Sequence, residues 1–275
     1  MPTPITSTSS RDIAGLSQHL SNVKLSDSSP YDLIDTDAAL SSVVETLLRL
    51  PTYPPSIYID LEGEKLSRHG TISIMQVHVL PSKRTYLIDI HILREKAFKV
   101  CGSSGQTLKT ILESCDIPKV FFDVRNDSDA LYKHYKISLA GIQDLQLMEL
   151  ATRRTGRTYV NGLAKCIERD GALSSTEMLR WKNCKERGVR LFAPERGGSY
   201  RVFNDRPLSE DIVKYCIQDV HFMPRLWDRY NGTLSFAWRK RVETASKERV
   251  TLSQSQSYVS HGRHKTLGPR NWLLL

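Results

Sequence analysis

Two carboxylates at the end of a predicted strand are the first residues whose types and spacing suit metal chemistry. Asp60 and Glu62 follow a hydrophobic run at residues 57–59, and residues two apart on a strand face the same side. Two like charges on one face repel each other, so solvent or a cation must lie between them. Hard cations such as Mg²⁺ prefer oxygen ligands, often carboxylates combined with substrate phosphates. The pair is also common on exposed strand ends, and that simpler interpretation stays open.

A second acidic group lies in the segment KVFFDVRNDSDAL at residues 119–131, where a predicted strand passes through a turn into a helix. Its carboxylates belong to Asp123, Asp127 and Asp129. Acidic residues in a first helical turn also cap backbone N–H groups and interact favourably with the helix dipole. The group therefore offers metal ligands, but it has a purely structural explanation as well.

A tyrosine and an aspartate form the third group, within the segment at residues 208–226. Tyr215 and Asp219 stand four residues apart and share one face of a predicted helix. Ser209 begins this helix as a candidate N-cap. A contact between the two side chains explains the spacing as well as a functional role does.

The elements that must hold these groups follow from hydrophobic periodicity and turn residues. Strands are predicted at residues 57–61, 71–80, 85–90, 119–123 and 141–145, the first three arranged as an antiparallel meander. Helices are predicted at residues 36–49, 91–99, 106–114, 126–135, 145–154 and 208–230. A mixed sheet with interleaved helices is α/β. The sequence therefore predicts one α/β domain at 31–230, a flexible segment at 1–30 and a basic extension at 231–275.

Composition excludes several classes of protein. The chain has 275 residues and no long uninterrupted apolar run, so no membrane span is expected. The N-terminal residues are polar, and a secretory signal is therefore not expected. Five cysteines without Cys-x-x-Cys spacing argue against a zinc site and for a reducing compartment. These features predict an intracellular protein, nuclear or cytoplasmic.

The charge of the chain favours a polyanionic partner. Its net charge is +9 at pH 7, which suits nucleic acid. Residues 231–275 contain eight Lys or Arg residues and two Glu residues. This segment is either a solvated, frayed tail or an arm that contacts phosphates. Arg239, Lys240 and Arg241 are its candidate nucleic-acid contacts.

Taken together, the three groups resemble a known set of enzymes. Asp60-x-Glu62, then Asp127, then Tyr215-x-x-x-Asp219 resemble the DEDDy group of the DEDD 3′–5′ exonucleases. The nearest match is the RNase D-like branch of the DnaQ-like superfamily, including small eukaryotic 3′–5′ exonuclease domain-containing proteins. RHGTISIMQV resembles the second strand of the family, NGLAKCIERD one of its helices, and RPLSEDIVKYCIQDV its third motif. The resemblance covers about residues 55–230 and implies an RNase H-like fold, with an antiparallel meander followed by parallel strands and flanking helices.

The resemblance also implies a role for each site residue. Asp60 would bridge two metal ions, Mg²⁺ or Mn²⁺, of the kind that oxygen ligands suit. Glu62 and Asp219 would complete the site of the ion that activates water, and Asp127 would hold the other ion, largely through water. Tyr215 would orient the attacking water. Two such ions about 4 Å apart can activate water, neutralise the phosphate and stabilise the departing 3′ oxygen.

Two assignments need a choice among alternatives. Asp127 is preferred over Asp129 and Asp123 as the second-motif ligand, because Asp127 meets the family's spacing to Leu131 and to residues 136–137. Residues 182–206 depart from the family by being longer and rich in arginine, including Arg196 and Arg201. This insertion is interpreted as either a basic flap over the substrate or a surface loop.

Two functional classes remain. The favoured one is a metal-dependent exonuclease that hydrolyses phosphodiester bonds at the 3′ ends of single-stranded nucleic acid, with RNA slightly favoured over DNA. The alternative is a nucleic-acid-binding adaptor on the same fold with weak or no activity. All four acids and the tyrosine can be assigned, which favours the enzyme, because degenerate members of the family lack a metal carboxylate. Protein partners are not predicted.

Overall fold

A mixed six-stranded sheet forms the centre of the protein in the computed structural model, which describes residues 31–272. The strands are β1 (Tyr31–Ile34), β2 (Ile57–Glu62), β3 (Ile74–Val79), β4 (Arg84–Asp89), β5 (Lys119–Phe121) and β6 (Ile142–Asp144). Their order across the sheet is β1-β4-β3-β2-β5-β6. The β2–β3 and β3–β4 pairs are antiparallel, whereas β1–β4, β2–β5 and β5–β6 are parallel. The carboxyl ends of β2, β5 and β6 therefore meet at one edge of the sheet.

Helices connect the strands and continue beyond them. The α-helices are α1 (Asp37–Leu48), α2 (Ile90–Leu93), α3 (Lys96–Lys99), α4 (Leu108–Glu113), α5 (Arg125–Tyr135), α6 (Leu145–Thr152), α7 (Leu163–Asp170), α8 (Ser175–Phe192), α9 (Glu210–His221), α10 (Met223–Thr233) and α11 (Phe236–Gln254). Short 3₁₀ helices lie at Pro194–Arg196, Tyr200–Phe203, Arg263–Thr266 and Arg270–Trp272. None of the helices in residues 31–272 has the length and apolar character needed to cross a membrane.

Successive side chains of β2 point to opposite faces of the sheet. Ile57, Ile59 and Leu61 belong to a core that includes residues of α1, α4 and α5. Tyr58 points to the opposite face and packs in a second core with α6, α7 and α10. Asp60 and Glu62 have the same parity as Tyr58, so the carboxylates lie on the face that α9 covers. Burying the odd-numbered residues thus fixes the direction of the acidic pair.

The α/β class and the mixed sheet with an antiparallel meander followed by parallel strands are confirmed. The structure adds β1, which the periodicity did not predict. β1 has only four residues and two of its apolar side chains, Tyr31 and Leu33, are exposed. It pairs with β4 at the edge of the sheet. Such a short edge strand carries too little hydrophobic pattern to be detected in the sequence.

The interpretation of residues 182–206 as a surface loop is wrong for residues 182–192, which are helical, whereas a basic flap over the substrate stays a prediction. These residues begin inside α8, which starts with a capping box between Ser174 and Glu177 and continues to Phe192. Pro194 ends the helix, and two short 3₁₀ helices lead to α9. The many charged residues hid the helix in the sequence, because α8 buries only Trp181 and Gly188 fully.

The interpretation of the basic extension as a frayed tail is also wrong for most of its length. α11 packs against α5, α6 and β6, and its buried stripe includes Val242, Ala245 and Val250. Arg249 in the same stripe donates to Oδ2 of Asp144 at 2.7 Å. The predicted flexible segment at residues 1–30 lies outside the described residues, and the domain limits themselves stay a prediction.

Candidate active site

Three of the predicted ligands come together where β2 meets α9. Asp60, Glu62 and Asp219 each offer a carboxylate oxygen, and these oxygens lie within 4.8 Å of one another. The strand supplies Asp60 and Glu62 on one face, and the helix supplies Asp219 from the layer above that face. Ile212 and Cys216 are fully buried and pack against Ile74 and Leu87 of the sheet, which fixes the rotation of α9.

Asp127 lies near these three carboxylates, the acidic centre, and belongs to α5, which follows β5. α5 begins just after β5, and β5 runs parallel to β2, so Asp127 lies at the edge of the sheet that carries Asp60. Asp127 is only 5% exposed, and its Oδ1 atom has no hydrogen-bond partner among the described residues. A buried acceptor without a partner is unfavourable unless a ligand or water satisfies it. Oδ1 of Asp127 is therefore available to a ligand, and the role of Asp127 as the second-motif metal ligand stays a prediction.

The two alternatives to Asp127 have their carboxylates bound elsewhere. Asp129 accepts from the backbone N of Arg68 at 2.8 Å and from its Nε at 2.6 Å. Asp123 accepts from Nη2 of Arg125 at 2.7 Å, and Arg249 lies 3.5 Å from its Oδ1. These side chains hold the loop and helix in place. Asp127 is the aspartate of this segment whose charge raises the pKa of Asp60.

Burial and mutual repulsion make the ionised carboxylates of the site unfavourable unless cations neutralise them. Burial raises the pKa of Asp60 well above its usual value, and the charges of Asp127 and Asp219 raise it further. Burial and the charges of Asp60 and Asp219 act on the pKa of Glu62 in the same direction. Burial also raises the pKa of Asp127 to about 7. Asp60, Glu62 and Asp219 lie close together, and Asp127, whose charge acts on Asp60, adds an unpartnered buried oxygen. Such oxygen ligands fit hard divalent cations such as Mg²⁺ or Mn²⁺.

Tyr215 is held beside this centre by α8. Its ring is 7% exposed and lies 5.0 Å from the ring centroid of Phe192. Gly188 permits this approach, because a Cβ atom at position 188 would lie 2.6 Å from Cδ2 of Tyr215. Burial raises the pKa of the Tyr215 hydroxyl well above its usual value, and the charges of Asp219 and Glu62 add to the effect. The hydroxyl therefore stays protonated and can donate a hydrogen bond.

One residue of the centre was missed in the sequence. Lys185 extends from α8, and its Nζ lies 3.1 Å from Oδ1 of Asp219 and 4.9 Å from the ring centroid of Tyr215. No local pattern marks Lys185, because the basic residues around it are spread over the whole of α8. Its position depends on how α8 packs against α9.

The predicted nucleic-acid contacts of the insertion lie on the surface. Arg196 pairs with Glu186 at 2.6 Å, and both side chains are largely exposed. Arg201 is exposed in the 3₁₀ helix that follows. Surface pairs of this kind contribute little to stability, so Arg196 can exchange its partner for a phosphate. Contact between these arginines and nucleic acid stays a prediction.

The structure does not bring the contacts predicted in the extension to the carboxylates. Arg239 donates to the side chain of Asn231 at 2.7 Å and lines a cavity of about 270 Å³ next to Ile142, the first residue of β6. That cavity lies at the amino ends of the parallel strands, opposite the edge that carries the acids. Lys240 is 3.4 Å from Glu243, and the guanidinium of Arg241 lies 5.0 Å from the Trp238 ring centroid.

Comparison with known proteins agrees with this geometry. The sequence model of the 3′-5′ exonuclease family matches residues 31–234, which is more than half of the chain. The chain belongs to the 3′–5′ exonuclease family. The match confirms the 3′–5′ exonuclease family that the three motifs indicated. No protein of curated function matches the sequence at a significant level.

Solved structures of RNase D share the fold of this exonuclease. Trypanosoma brucei RNase D in complex with GMP has a TM-score of 0.70 and 20% identity, covering 89% of this chain and 71% of that chain. The same enzyme in complex with RNA U12 also has a TM-score of 0.70 and 20% identity, covering 89% and 78%. Escherichia coli RNase D has a TM-score of 0.54 and 19% identity, covering 82% of this chain and 51% of that chain.

Proposed function

We propose that this exonuclease removes nucleotides from the 3′ ends of single-stranded nucleic acid by two-metal-ion hydrolysis, with a preference for RNA. The observation that carries the proposal is the meeting of Asp60, Glu62 and Asp219 within 4.8 Å, with Asp127 facing them from α5. Four carboxylates from separate elements suffice to hold two divalent cations. When bound, these cations supply the activated water and the charge neutralisation that phosphodiester hydrolysis requires.

Each side chain of the site has a distinct role in this proposal. Asp60 is assigned to both cations, in agreement with the role that the family resemblance implies. Glu62 and Asp219 complete one cation site, and Asp127 completes the other with its unpartnered Oδ1. Tyr215 stays protonated, and its hydroxyl orients the attacking water one helical turn from Asp219.

The preference for RNA rests on the relatives, and the charge of the chain supports nucleic acid in general. T. brucei RNase D, which shares the fold, has been solved in complexes with GMP and with RNA U12. The net charge of +9 of this chain favours a polyanionic substrate. A 2′-hydroxyl contact is what distinguishes RNA from DNA at such a site.

The test is a degradation assay with matched single-stranded RNA and DNA, each labelled at the 5′ end, in Mg²⁺, in Mn²⁺ or in EDTA. The proposal expects a ladder that shortens from the 3′ end, faster on RNA, and no products in EDTA. Asp60→Asn and Asp219→Asn should abolish hydrolysis while the protein stays folded by circular dichroism. Tyr215→Phe should lower turnover with little change in substrate affinity, the pattern of a contact made in the transition state.

Several results would contradict the proposal. Near-wild-type turnover of Asp60→Asn in Mg²⁺ would remove the metal assignment. Cleavage products of internal origin would exclude an exonuclease. Tight binding of single strands with no hydrolysis in any metal would instead support the adaptor alternative.

A further inference from the structure

Lys185 lies beside Asp219 in the acidic centre, and the packing of α8 determines its position. The side chain of Lys185 is 22% exposed, and its Nζ lies 3.1 Å from Oδ1 of Asp219. Gly188, one turn further along α8, contacts the Tyr215 ring so closely that no larger residue fits without a shift. This contact holds α8 against α9 and directs Lys185 toward the acids.

The ammonium group serves more than one carboxylate. Nζ of Lys185 also lies 4.9 Å from the Tyr215 ring centroid, on the side of α9 that carries Asp219. Its charge acts to lower the pKa of both Asp60 and Glu62, against the larger effect of burial. Lys185 is thus the counter-ion that this protein itself provides to the acidic pair and to Asp219.

Lys185 and a divalent cation would compete for the Asp219 carboxylate. Asp219 offers a carboxylate oxygen to a metal at this centre, and its Oδ1 atom already accepts a hydrogen bond from Lys185. A cation on the Asp219 carboxylate binds close to this positive charge, and a cation on Oδ1 must also displace the ammonium group. With a unit charge and a divalent charge about 5 Å apart, repulsion weakens binding about tenfold even at the dielectric constant of water.

We propose that Lys185 is a positioning residue that stands in for metal at Asp219 and sets the concentration of divalent cation at which the centre fills. This inference rests on the proposed metal site. Without metal, Lys185 keeps the mutually repelling carboxylates in place. With metal, it releases Asp219, and the ease of that exchange determines the metal affinity of the enzyme.

The test compares metal binding and stability in the absence of nucleic acid. The wild-type chain is freed of metal and titrated with Mn²⁺ in a calorimeter, alongside Lys185→Met, Lys185→Gln and Lys185→Arg. Lys182→Met is the matched control, because Lys182 lies on the same helix, is 55% exposed and pairs with Glu168 outside the centre at 3.2 Å. Thermal unfolding of each protein is measured in EDTA and in saturating Mn²⁺.

The proposal expects both neutral variants at position 185 to bind Mn²⁺ about tenfold more tightly than wild type, the effect of removing the repulsion. Lys185→Arg keeps the charge and should bind as weakly as wild type, and Lys182→Met should also match wild type. In EDTA, the neutral variants should unfold at a lower temperature than wild type. Saturating Mn²⁺ should reduce or reverse that difference.

Equal or weaker Mn²⁺ binding by Lys185→Met and Lys185→Gln would overturn the inference. Equal losses of stability in EDTA and in Mn²⁺ would also overturn it, because they would show that Lys185 only packs against Tyr215. If the folded wild-type chain binds no Mn²⁺, the metal centre of the proposed function fails, and the inference fails with it. The two kinds of failure are therefore distinguishable.

Discussion

The replacement of Asp127 by asparagine tests the acidic centre through stability rather than through activity. Asp127 is 5% exposed, and its Oδ1 atom has no partner among the described residues. In the metal-free protein a charged carboxylate at this position is unfavourable, because burial disfavours the ionised form. Asp127→Asn keeps the shape of the side chain and removes the charge. We expect the variant to gain stability relative to wild type as the pH rises.

The size of this gain follows from the pKa of Asp127. Burial raises this pKa from 3.8 to about 7, and the charge of Asp123 also acts to raise it. Between about pH 4 and pH 7 the native state therefore holds a proton that the unfolded state has lost. The favourable contribution is complete below the unfolded pKa and is lost as the pH rises through the folded pKa. A tenfold change in proton affinity corresponds to about 1.4 kcal/mol, so wild type loses up to about 4 kcal/mol by pH 8.

The assay is urea unfolding of wild type and Asp127→Asn in EDTA, at several pH values from 4 to 8. The readout is the difference between their free energies of unfolding, which should shift in favour of the variant by up to about 4 kcal/mol over this range. Saturating Mn²⁺ at pH 8 should stabilise wild type more than the variant, since Asp127 is then a ligand. Asp129→Asn is the control, because breaking its buried pair with Arg68 should destabilise the protein by about 3–5 kcal/mol.

A difference that does not depend on pH would refute this reasoning, whatever its sign. It would mean that Asp127 is ionised without strain in the metal-free protein and that its buried oxygen finds a partner such as water. Stabilisation by Asp129→Asn at pH 8 would be equally damaging. It would exchange the roles of the two aspartates and move the second-motif ligand to position 129.

Two further predictions concern the packing of α8 and the basic start of α11. Gly188→Ala should destabilise the protein by about 1–3 kcal/mol, as overpacking does, and should lower turnover, because the new methyl group displaces the Tyr215 ring; unfolding and single-turnover rates check both effects. If Lys240 and Arg241 contact phosphates, replacing both with glutamine should reduce the log–log salt slope of single-strand binding by roughly 1.4, about 0.7 per contact. Parallel salt slopes for the variant and wild type would show that these side chains are only solvated.

Much of the fold was predictable because hydrophobic pattern and turn residues agree along the chain. β2 to β6 and the helices α1, α4, α5, α6 and α9 each carry a periodicity that matches their structure. α11 could not be predicted in the same way. Its buried stripe contains Ser246, Arg249 and Ser253 as well as apolar residues, so the stripe looks polar in the sequence. Arg249 is buried because Asp144 neutralises it across the core, and a contact between such distant residues has no local signal.

The candidate site likewise contains residues that local spacing marks and one residue that only tertiary contacts explain. Asp60 with Glu62, and Tyr215 with Asp219, are marked by spacings within single elements. The choice of Asp127 over its neighbours has a physical basis only in the structure, where Arg68 binds Asp129 and leaves Asp127 unpartnered. The family's spacing pointed to the same residue without giving that reason.

The chain beyond the match to the exonuclease family takes part in holding the centre. The match ends at residue 234, yet Lys265 donates to Oδ1 of Asn126 at 2.5 Å, and the hydroxyl of Tyr258 donates to the same oxygen at 2.7 Å. Asn126 directly precedes Asp127, so these contacts act on the first turn of α5.

Arg68 adds a second connection to the same segment. It donates to the backbone oxygens of Ser253 and Ser255 at 2.8 and 2.7 Å while it binds Asp129. Removing residues 239–275 would therefore delete supports of the helix that carries Asp127, together with any phosphate contacts. Because a truncation mixes these two effects, the role of the basic residues in binding has to be measured with side-chain substitutions, such as those of Lys240 and Arg241, on an intact α11.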